Sequence, residues 1–473
     1  MTNAEPHRLR TADQYLAGLR DGREVYYQGE RVDDVTDHPE LGIVSRHAAL
    51  DFAFAEEPGN AEIAVTDGYS TYYQLPRDGH DLRRRSSLIE AATAYGKTLV
   101  LLIKEIGTDA LVALHRVCHD TDYADNVQTF YKACRDGDLS LAVAQTDVKG
   151  DRSKGPSGQV DPDLYVRVVE RRSDGVVVRG AKVHTSYTPN VDEVIVLPTR
   201  AMQEGEEDWA IAFAIPVATP GLKLLCSDYL QSDNDPWTRP ISSQHKMVET
   251  LTVFDDVFVP NERIFLDGDT RRAGELALAF VEHHRFTAVS YKLPLVDALV
   301  GLAGLLAEAN GIARASHVRD KLVSLIGYAE TVRGLTHLAA DRFRIDERTG
   351  TAFPDPLTTN LAKWTFARDY HDAVEHVIDI AGGLLVTGPG GADWRSDELR
   401  PYLEKYFVGA TPADERLAVM NVASDLLARE YAGYQSVLAV HAEGSLEAEK
   451  MMIYRSYDPT DAVAFVKQLA GIE

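Results

Sequence analysis

The sequence predicts an α+β protein with a helical first part, a β-rich centre and a long C-terminal helical bundle. Three observations predict this order. Apolar residues recur every three or four positions up to about residue 145. Short β-rich runs follow, and helical spacing then returns and continues to the end of the chain. We therefore expect three domains, comprising residues 1–145, 146–269 and 270–473.

Helical spacing in the first domain is clearest in residues 87–102 and 108–117. Asp109 stands early in the second segment, where a carboxylate favours the amino end of a helix. The basic run at residues 83–85 is typical of a solvated helix face, and a phosphate site is the alternative interpretation.

The β-rich centre contains six short runs, at residues 164–170, 175–184, 193–198, 209–216, 222–226 and 249–260. The turn RSDG between the first two predicts a hairpin, because Gly175 can take a positive φ that other residues resist. Six runs within about 100 residues predict a compact β-barrel or sandwich.

The C-terminal part contains five helical segments: the run GELALAFVEHHRF, which begins at Gly274, and residues 293–315, 318–342, 357–381 and 418–441. The most apolar of them is interrupted by Asp297 and Glu308, which would be too costly in an isolated membrane span.

Charge and composition exclude several classes of partner. The net charge of −24 disfavours nucleic acid and anionic membranes, because both require a basic surface. The amino terminus lacks the basic-then-apolar order of a secretion signal, so we expect a cytoplasmic protein. The three cysteines, at positions 118, 134 and 226, form no CxxC pair and are expected to be small buried hydrophobes, and no metal site is predicted.

Four long segments carry a resemblance that extends over nearly the whole chain. They are YLAGLRDGREVYYQGERV, TDVKGDRSKGPSGQVDPDLYVRVVERRSDGVVVRGAKVHTS, VFDDVFVPNERIFL and GGLLVTGPGGADWRSDELRPYLEKYF. The chain resembles the 4-hydroxyphenylacetate 3-monooxygenase and 4-hydroxybutyryl-CoA dehydratase superfamily. This resemblance implies an acyl-CoA-dehydrogenase-like fold with a central β-barrel domain, non-covalently bound FAD and a homotetramer.

A flavin needs hydrogen-bond donors at the N1/C2 carbonyl end of its ring, which becomes anionic on reduction. Lys149, Arg152 and the backbone amides between them could supply such donors, although the same loop could simply close a domain boundary. The resemblance implies flavin contacts from Val143, Ala144, Gln145, Lys149, Gly150, Asp151 and Arg152, with Thr185 on the strand that faces the ring.

Two glycine-containing segments are further candidates. The run GGLLVTGPGG at residues 382–391 permits close approach to a ligand or a neighbouring subunit, or it simply ends a helix. Near the C-terminus, His441, Gly444 and Ser445 form a second possible cofactor contact.

Neither branch of the superfamily matches at its most specific residues. The resemblance places the iron-sulfur ligands of the dehydratase at Leu101, Glu105, His284 and Tyr291, so only the histidine is retained. The cluster cannot be built from these residues, which disfavours dehydration but leaves double-bond isomerisation open. The arginine and tyrosine that clamp a phenol in the other branch are absent from residues 104–111, and the clamping histidine falls near Val143. We therefore expect a substrate other than 4-hydroxyphenylacetate.

The segment HHRFTAVSYK contains the strongest candidates for catalysis. On a helix, His284, Thr287 and Tyr291 share one face, and an imidazole exchanges protons near neutral pH. Arg285 or Tyr291 could position polar substrate groups, although each of these residues could also be structural.

Glu105 stands in an otherwise apolar run, TLVLLIKEIG. It is either a buried base with a raised pKa or the partner of Lys104 or Arg116.

These observations favour a two-component monooxygenase. A separate flavin reductase would supply reduced FAD (FADH2), and a small molecule would be hydroxylated. The alternatives are a cluster-free flavin-dependent acyl-CoA isomerase or dehydratase, and a catalytically silent scaffold.

Overall fold

The computed structural model describes residues 9–97, 99–100, 102–228 and 235–472. Its strands are β1 (Glu24–Tyr27), β2 (Glu30–Val32), β3 (Val65–Thr66), β4 (Tyr69–Ser70), β5 (Leu141–Ala144), β6 (Arg167–Arg171), β7 (Gly175–Ser186), β8 (Glu193–Val196), β9 (Ile211–Pro216), β10 (Leu222–Cys226), β11 (Glu249–Pro260), β12 (Ile264–Asp267), β13 (Arg344–Asp346) and β14 (Thr351–Phe353).

Its α-helices are α1 (Ala12–Gly18), α2 (Leu41–Glu56), α3 (Ala61–Ala64), α4 (Gly79–Tyr95), α5 (Glu105–Cys118), α6 (Ala124–Asp136), α7 (Thr270–Tyr291), α8 (Leu293–Ala309), α9 (Ser316–Asp341), α10 (Pro356–Ala381), α11 (Leu384–Thr387), α12 (Gly391–Trp394), α13 (Arg400–Tyr406), α14 (Ala413–Leu427), α15 (Glu430–His441), α16 (Leu446–Ser456) and α17 (Thr460–Ala470). This order of helices, strands and helices confirms the predicted α+β class.

The β-rich centre consists of two open sheets. Six strands run in the order β2-β1-β10-β11-β7-β6, and four run in the order β12-β9-β8-β5. Apolar side chains of both sheets share one core, and Phe213 and Phe254 meet edge to face across it with ring centroids 5.9 Å apart. The six predicted runs are all strands. The predicted barrel is wrong, because neither sheet closes on itself in the described part of the chain, and the two sheets pack face to face instead.

Strands β1 and β2 lie in the part of the chain for which only helices were predicted. β1 pairs in parallel with β10 and so extends the central sheet with residues from the N-terminal region. Both strands are short, so their two-residue alternation is too brief to stand out from helical spacing. The domain boundaries stay a prediction.

The predicted hairpin joins β6 to β7, but Gly175 is needed there for another reason. Gly175 does not have a positive φ. A side chain at this position would instead place Cβ 2.2 Å from the carbonyl oxygen of Val259 on β11. Close approach of the neighbouring strand, rather than turn geometry, requires glycine.

The C-terminal helices form the predicted bundle with one interruption. The segment predicted as one helix over residues 418–441 is divided into α14 and α15, which are separated by Ala428 and Arg429. The stretch formed by α7 and α8 is long and apolar enough to cross a membrane, but 61% of its most apolar window is buried within the protein. The same burial is found in the core helices of soluble proteins.

Helix α5 lies unusually close to β5, because Gly107 has no side chain. A Cβ atom at Gly107 would lie 2.1 Å from Cβ of Leu141 on β5. The glycine therefore sets the distance between the sheet and the helix.

We predict that Gly107→Ala destabilises the protein by about 1–3 kcal/mol, because the helix or the strand must move to admit the methyl group. Gly301→Ala is the matched control. Gly301 also lies within a helix, but nothing is within 4 Å of a Cβ atom there, so this change should be neutral or stabilising by up to about 1 kcal/mol. Urea unfolding of both variants measures the difference, and equal midpoints would contradict the packing argument.

Candidate functional site

The C-terminal half of α7 carries three residues predicted for catalysis. The helix begins after Asp269, whose side chain accepts a hydrogen bond from an amide of the first turn. Residues 283–291 are all buried, because α7 packs against α5, α4 and α10. His284, Arg285 and Tyr291 therefore face groups inside the protein.

Asp109 on α5 joins α7 to α4. Its Oδ1 atom accepts hydrogen bonds from Arg85 Nη2 at 2.7 Å, His283 Nδ1 at 2.8 Å and Thr287 Oγ1 at 2.8 Å. Its Oδ2 atom lies 3.0 Å from His284 Nδ1. The carboxylate is fully buried and holds both imidazole rings in fixed orientations.

The charges of this cluster determine which nitrogen of His284 carries a proton. Burial alone would raise the pKa of Asp109, but the Arg85 guanidinium and the hydrogen bonds from both histidines lower it below its ordinary value. An ionised carboxylate only accepts hydrogen bonds, so Nδ1 of His284 carries a proton. The other ring nitrogen, Nε2, is then the atom at which His284 can exchange a proton.

The two histidines differ in their access to the surroundings. His283 is fully buried, and its Nε2 atom has no hydrogen-bond partner among the described residues. His284 is 9% exposed. This difference favours His284 as the residue that reaches a ligand.

The basic run at residues 83–85 is not the solvated face that the sequence indicated. Arg83 pairs with Asp341 near the surface, whereas Arg85 is 3% exposed and points inward to Asp109. The prediction was wrong for Arg85, because successive helical residues point in directions about 100° apart. Three adjacent charges on a helix therefore cannot all share one face.

Glu105, at the start of α5, is fully buried. Its Oε1 atom accepts a hydrogen bond from the Leu102 amide at 3.2 Å, and its Oε2 atom has no hydrogen-bond partner among the described residues. The suggested ion pair with Lys104 or Arg116 is wrong, because Lys104 bonds to Asp138 and Arg116 bonds to other carboxylates. Burial raises the pKa of Glu105 well above its ordinary value, which favours the neutral acid over the carboxylate.

A second cluster surrounds Glu443, in the loop between α15 and α16. Its Oε2 atom lies 2.9 Å from Lys292 Nζ and 3.8 Å from Lys363 Nζ. The Tyr291 hydroxyl donates to Glu443 and accepts a hydrogen bond from Lys292 Nζ at 3.0 Å. Glu443 has a φ of +57°, which is unfavourable for a residue with a side chain. The surrounding contacts thus hold a strained backbone in place.

This second cluster contains acids and bases of different strength. Burial alone would raise the pKa of Glu443, but the charges of Lys292 and Lys363 lower it to about 2. Burial lowers the pKa of Lys292 to about 8, although Glu443 opposes this shift. Burial also raises the pKa of Tyr291 well above its ordinary value, and the carboxyls of Glu443, Glu105 and Glu249 act in the same direction. All three acids therefore lie around the Tyr291 hydroxyl.

Arg285 anchors the loop that carries Glu443. Its Nε atom donates to the Glu443 carbonyl oxygen at 2.9 Å, and Nη1 donates to Asn360 Oδ1 at 2.6 Å. A Cβ atom at Gly444, which has a φ of +118°, would lie 2.4 Å from Nη2 of the arginine. Ser445 caps α16, since its hydroxyl accepts a hydrogen bond from a first-turn amide. Cofactor contacts from Gly444 and Ser445 stay a prediction.

Glu249 on β11 connects α15 to the central sheet. Both of its carboxyl oxygens accept from the Ser186 hydroxyl at 3.0 Å, and Oε1 also accepts from the Tyr434 hydroxyl at 3.0 Å. Burial raises the pKa of Glu249 to about 7. A carboxyl that titrates near neutrality can act as a proton donor or acceptor.

Thr185 lies beside Ser186 at the end of β7, where the strand is irregular. Its hydroxyl donates to the Thr250 carbonyl oxygen at 3.0 Å. A β-bulge interrupts the pairing of β7 with β11 just before Thr185, and His184 has a φ of +54°. Bulges and strained residues of this kind are frequent beside functional sites.

The predicted flavin contacts begin on β5 and continue into the loop that follows it. Val143 and Ala144 are buried in β5, and Gln145 follows them. The Nε2 atom of Gln145 is buried and has no hydrogen-bond partner among the described residues. Partial burial and the nearby charge of Arg152 lower the pKa of Lys149. A buried amide donor without a partner and two cations on the following loop are groups of the kind that suit the anionic end of a reduced flavin.

The loop after Lys149 is held by its own side chains. Gly150 has a φ of +48°, and a Cβ atom there would lie 2.5 Å from Gln159 Oε1. The Asp151 carboxylate accepts from the Ser153 hydroxyl at 2.7 Å and pairs with Lys154 at 3.1 Å. These hydrogen bonds lower the pKa of Asp151 to about 2. Asp151 and Gly150 thus shape the loop, and their predicted contact with flavin is untested.

The sequence-predicted residues therefore fall into two groups. The catalytic candidates surround α7, and Glu105 lies near Tyr291. The residues at 143–152 lie on β5 and the loop after it, and Thr185 and Glu249 stand on the paired strands β7 and β11. Leu101, one of the four positions compared with cluster ligands, lies outside the described residues.

Sequence reasoning missed Asp109, Glu443 and Glu249 as parts of the site. Asp109 was identified only as a residue that favours a helix start. Its position four residues after Glu105 was the available signal, because residues four apart share a helix face. Glu443 directly precedes Gly444, so the predicted contact was one residue away from the buried carboxylate.

Models of one protein family match nearly the whole chain. The N-terminal model of 4-hydroxyphenylacetate 3-hydroxylase matches residues 11–266, and the C-terminal model matches residues 273–471. The chain is 31% identical to the 4-hydroxybutyryl-CoA dehydratase/vinylacetyl-CoA-Δ-isomerase of Clostridium aminobutyricum, over 98% of this chain and 100% of that protein. It is also 31% identical to the 4-hydroxyphenylacetate 3-monooxygenase oxygenase component of Thermus thermophilus, over 88% of both chains.

Solved structures give the same result. The oxygenase component of 4-hydroxyphenylacetate 3-monooxygenase complexed with FAD superimposes with a TM-score of 0.89 at 28% identity, covering 97% of this chain and 98% of that one. The 4-hydroxybutyryl-CoA dehydratase of N. maritimus superimposes with a TM-score of 0.89 at 27% identity, covering 98% and 95%. The chain belongs to the 4-hydroxyphenylacetate 3-hydroxylase family.

Proposed function

We propose that this protein is the oxygenase component of a two-component monooxygenase that uses reduced FAD and hydroxylates a small molecule. The single observation that carries the proposal is the buried pair of Asp109 and His284 in a member of this family. It provides a positioned proton-transferring group. Two of the three cysteines, Cys118 and Cys134, pack instead in the core formed by α5, α6 and β5.

Reduced FAD, when bound, would supply the two electrons that let one oxygen atom of O2 enter a substrate C–H bond while the other leaves as water. Gln145, Lys149 and Arg152 would hold the anionic end of its ring. The oxygenase component of a relative complexed with FAD supports this cofactor. A separate reductase, a cytoplasmic location and a homotetramer belong to the same proposal.

His284 would move the proton that this reaction requires. Asp109 fixes the ring through Nδ1, so Nε2 would accept a proton from the substrate hydroxyl or return one. Glu443 lies close enough to His284 to interact with it electrostatically. Tyr291 would orient polar substrate groups with its hydroxyl. The burial of α7 would keep water away from the reacting atoms.

A cluster-free double-bond isomerase is the second candidate. The acids Glu443 and Glu249, with pKa values of about 2 and about 7, could remove a proton from one carbon of an acyl thioester and return it to another without net oxidation. The full-length similarity to a dehydratase/vinylacetyl-CoA-Δ-isomerase favours this candidate.

One experiment separates the two functions. We expect the purified protein, with FAD, NADH and a separate flavin reductase, to incorporate an atom of 18O from O2 into a phenolic substrate. A panel of phenols and vinylacetyl-CoA is assayed in air and without oxygen, and mass spectrometry identifies the products. Conversion of vinylacetyl-CoA without oxygen, and no labelled phenol in air, would refute the monooxygenase and support the isomerase.

The Asp109–His284 pair gives a second prediction. His284→Gln should lower kcat by on the order of 100-fold to 10,000-fold, the usual contribution of a general acid or base. His371→Gln is the matched control, because His371 is exposed on α10. Asp109→Asn should change both the value of kcat and its pH profile, because a neutral amide replaces the ionised carboxylate beside the imidazole. An unchanged kcat in His284→Gln would exclude a proton-transfer role.

The Lys292–Glu443 pair predicts how activity depends on pH. Below pH of about 8 Lys292 is charged and paired, and above it the cation is lost, because burial lowers its pKa to about 8. If the pair orients Tyr291, kcat/KM falls as pH rises through about 8. Lys292→Arg keeps its charge to higher pH, so the decrease in kcat/KM should occur at a higher pH. Lys292→Met has no charge to lose, so this pH-dependent decrease should disappear. A profile of kcat/KM against pH that is identical in all three proteins would contradict this role.

A further inference from the structure

A buried lysine on β7 holds the start of the loop that follows β5. Lys182 is 3% exposed. Its Nζ atom donates to the carbonyl oxygens of Gln145 and Leu197, at 2.8 Å and 3.0 Å, and to Asp147 Oδ1 at 2.5 Å. An ammonium group has three protons, so each of them has an acceptor here. One side chain therefore ties the chain just beyond β5 and β8 to β7.

The chain passes from one sheet of the β-rich centre to the other at this point. The Ala144 carbonyl oxygen accepts a hydrogen bond at 3.2 Å from the amide that follows β8, in the four-stranded sheet. The Thr146 carbonyl oxygen accepts one at 2.9 Å from an amide of β7, in the six-stranded sheet. Gln145 lies between these two attachments, so the direction of its side chain depends on how the two sheets are joined there.

The backbone of Gln145 is held from two directions. Its carbonyl oxygen accepts from Lys182 Nζ and also from Thr199 Oγ1, at 2.6 Å. Thr199 Oγ1 accepts in turn from the Asp147 amide at 3.1 Å. A carbonyl oxygen has two lone pairs, and both are used here. The peptide that follows Gln145 therefore has a fixed orientation.

The side-chain amide of Gln145 is free by comparison. Its Nε2 atom is buried and has no hydrogen-bond partner among the described residues. A buried donor without an acceptor is unfavourable. The fixed backbone thus presents a donor whose acceptor comes from outside the described part of the chain.

We propose that Lys182 is a positioning residue, which aims the Gln145 amide at the flavin by fixing the backbone that carries it. This inference rests on the proposed function, in which Gln145 holds the anionic end of the ring. Lys182 itself would not bind the flavin, because all three of its protons are used within the protein. Thr185, predicted to face the ring, stands three residues further along β7. The same lysine therefore sets the distance between two predicted flavin contacts.

A comparison with another buried pair favours positioning over stability. Lys104 Nζ lies 2.8 Å and 2.9 Å from the two carboxylate oxygens of Asp138. Asp147 offers only Oδ1 to Lys182, and its Oδ2 atom is buried without a hydrogen-bond partner in the described ranges. A pair that served stability alone would gain from a partner for each oxygen. The position of Lys182 instead suits its two carbonyl acceptors.

The test removes both charges of the pair together, so that no buried ion is left without a partner. The double variant is Lys182→Met, Asp147→Ala. The control Lys104→Met, Asp138→Asn removes the other pair, which is buried to a similar degree. Anaerobic titrations give the dissociation constants of oxidised and reduced FAD for each protein. Hydrogen–deuterium exchange of the protein without FAD reports on the amides of residues 145–149.

We expect the double variant to bind reduced FAD about 10-fold to 100-fold more weakly, which is the usual contribution of a hydrogen bond to a charged group. The change for oxidised FAD should be smaller, because that ring is not anionic. The amides of residues 145–149 should exchange at least several-fold faster, whereas the control should match the parent in all three measurements. A merely structural role would weaken both forms equally, so an unchanged ratio of the two dissociation constants would overturn the proposal.

Two further variants keep the test informative if the double variant folds poorly. Thr199→Val removes the second donor to the Gln145 carbonyl oxygen without touching a buried charge, and it should change the ratio in the same direction. In Gln145→Met the amide is absent, so neither the loss of the Lys182 pair nor Thr199→Val should change the ratio any further.

The outcomes separate this inference from the proposed function. A further change of the ratio in the Gln145→Met protein would show that Lys182 acts by another route, and it would overturn only the positioning role. A parent that binds neither form of FAD would overturn the proposed function together with the role of Lys182.

Discussion

One buried carboxylate organises the catalytic side of this molecule. Asp109 accepts hydrogen bonds from Arg85 on α4 and from His283, His284 and Thr287 on α7, while it stands on α5 itself. A buried ion of this kind is tolerated because both carboxylate oxygens accept hydrogen bonds and a guanidinium balances the charge. Removing the carboxylate would leave Arg85 buried without compensation, at a cost of about 3–5 kcal/mol. Three helices thus depend on one side chain for their mutual position.

The second buried carboxylate, Glu443, has a different role from Asp109. Asp109 binds imidazoles and fixes their tautomer, whereas Glu443 binds two lysines and the Tyr291 hydroxyl. Both carboxylates stay ionised because cations face them. Glu105 and Glu249 make no ion pair among the described residues, and burial raises their pKa values instead. Ionised carboxylates and carboxyls with raised pKa values therefore lie close together in this part of the protein.

The sequence predicted the helices and strands better than it predicted the contacts between them. The six β runs and the long helices were identified, because local periodicity records which face of an element is buried. The sheet arrangement was not, since β1 pairs with β10 across about 200 residues of chain, and no local pattern specifies such a partner. His284 was found because the resemblance aligns it with a cluster ligand and because its spacing places it on one helix face with Tyr291. Glu105 was found because it is a lone acid among apolar residues. Asp109 and Glu443 were missed because their importance comes from partners on other helices.

Tyr291 links an acid to a cation at the end of α7. Its hydroxyl donates a hydrogen bond to Glu443 and accepts one from Lys292. Such a link suits reactions in which charge moves by proton transfer, and both a flavin-dependent hydroxylation and an isomerisation are of this kind. The same proton-transferring groups would serve either reaction, so the two are distinguished by the reactant, which is oxygen in the first and an acyl thioester in the second.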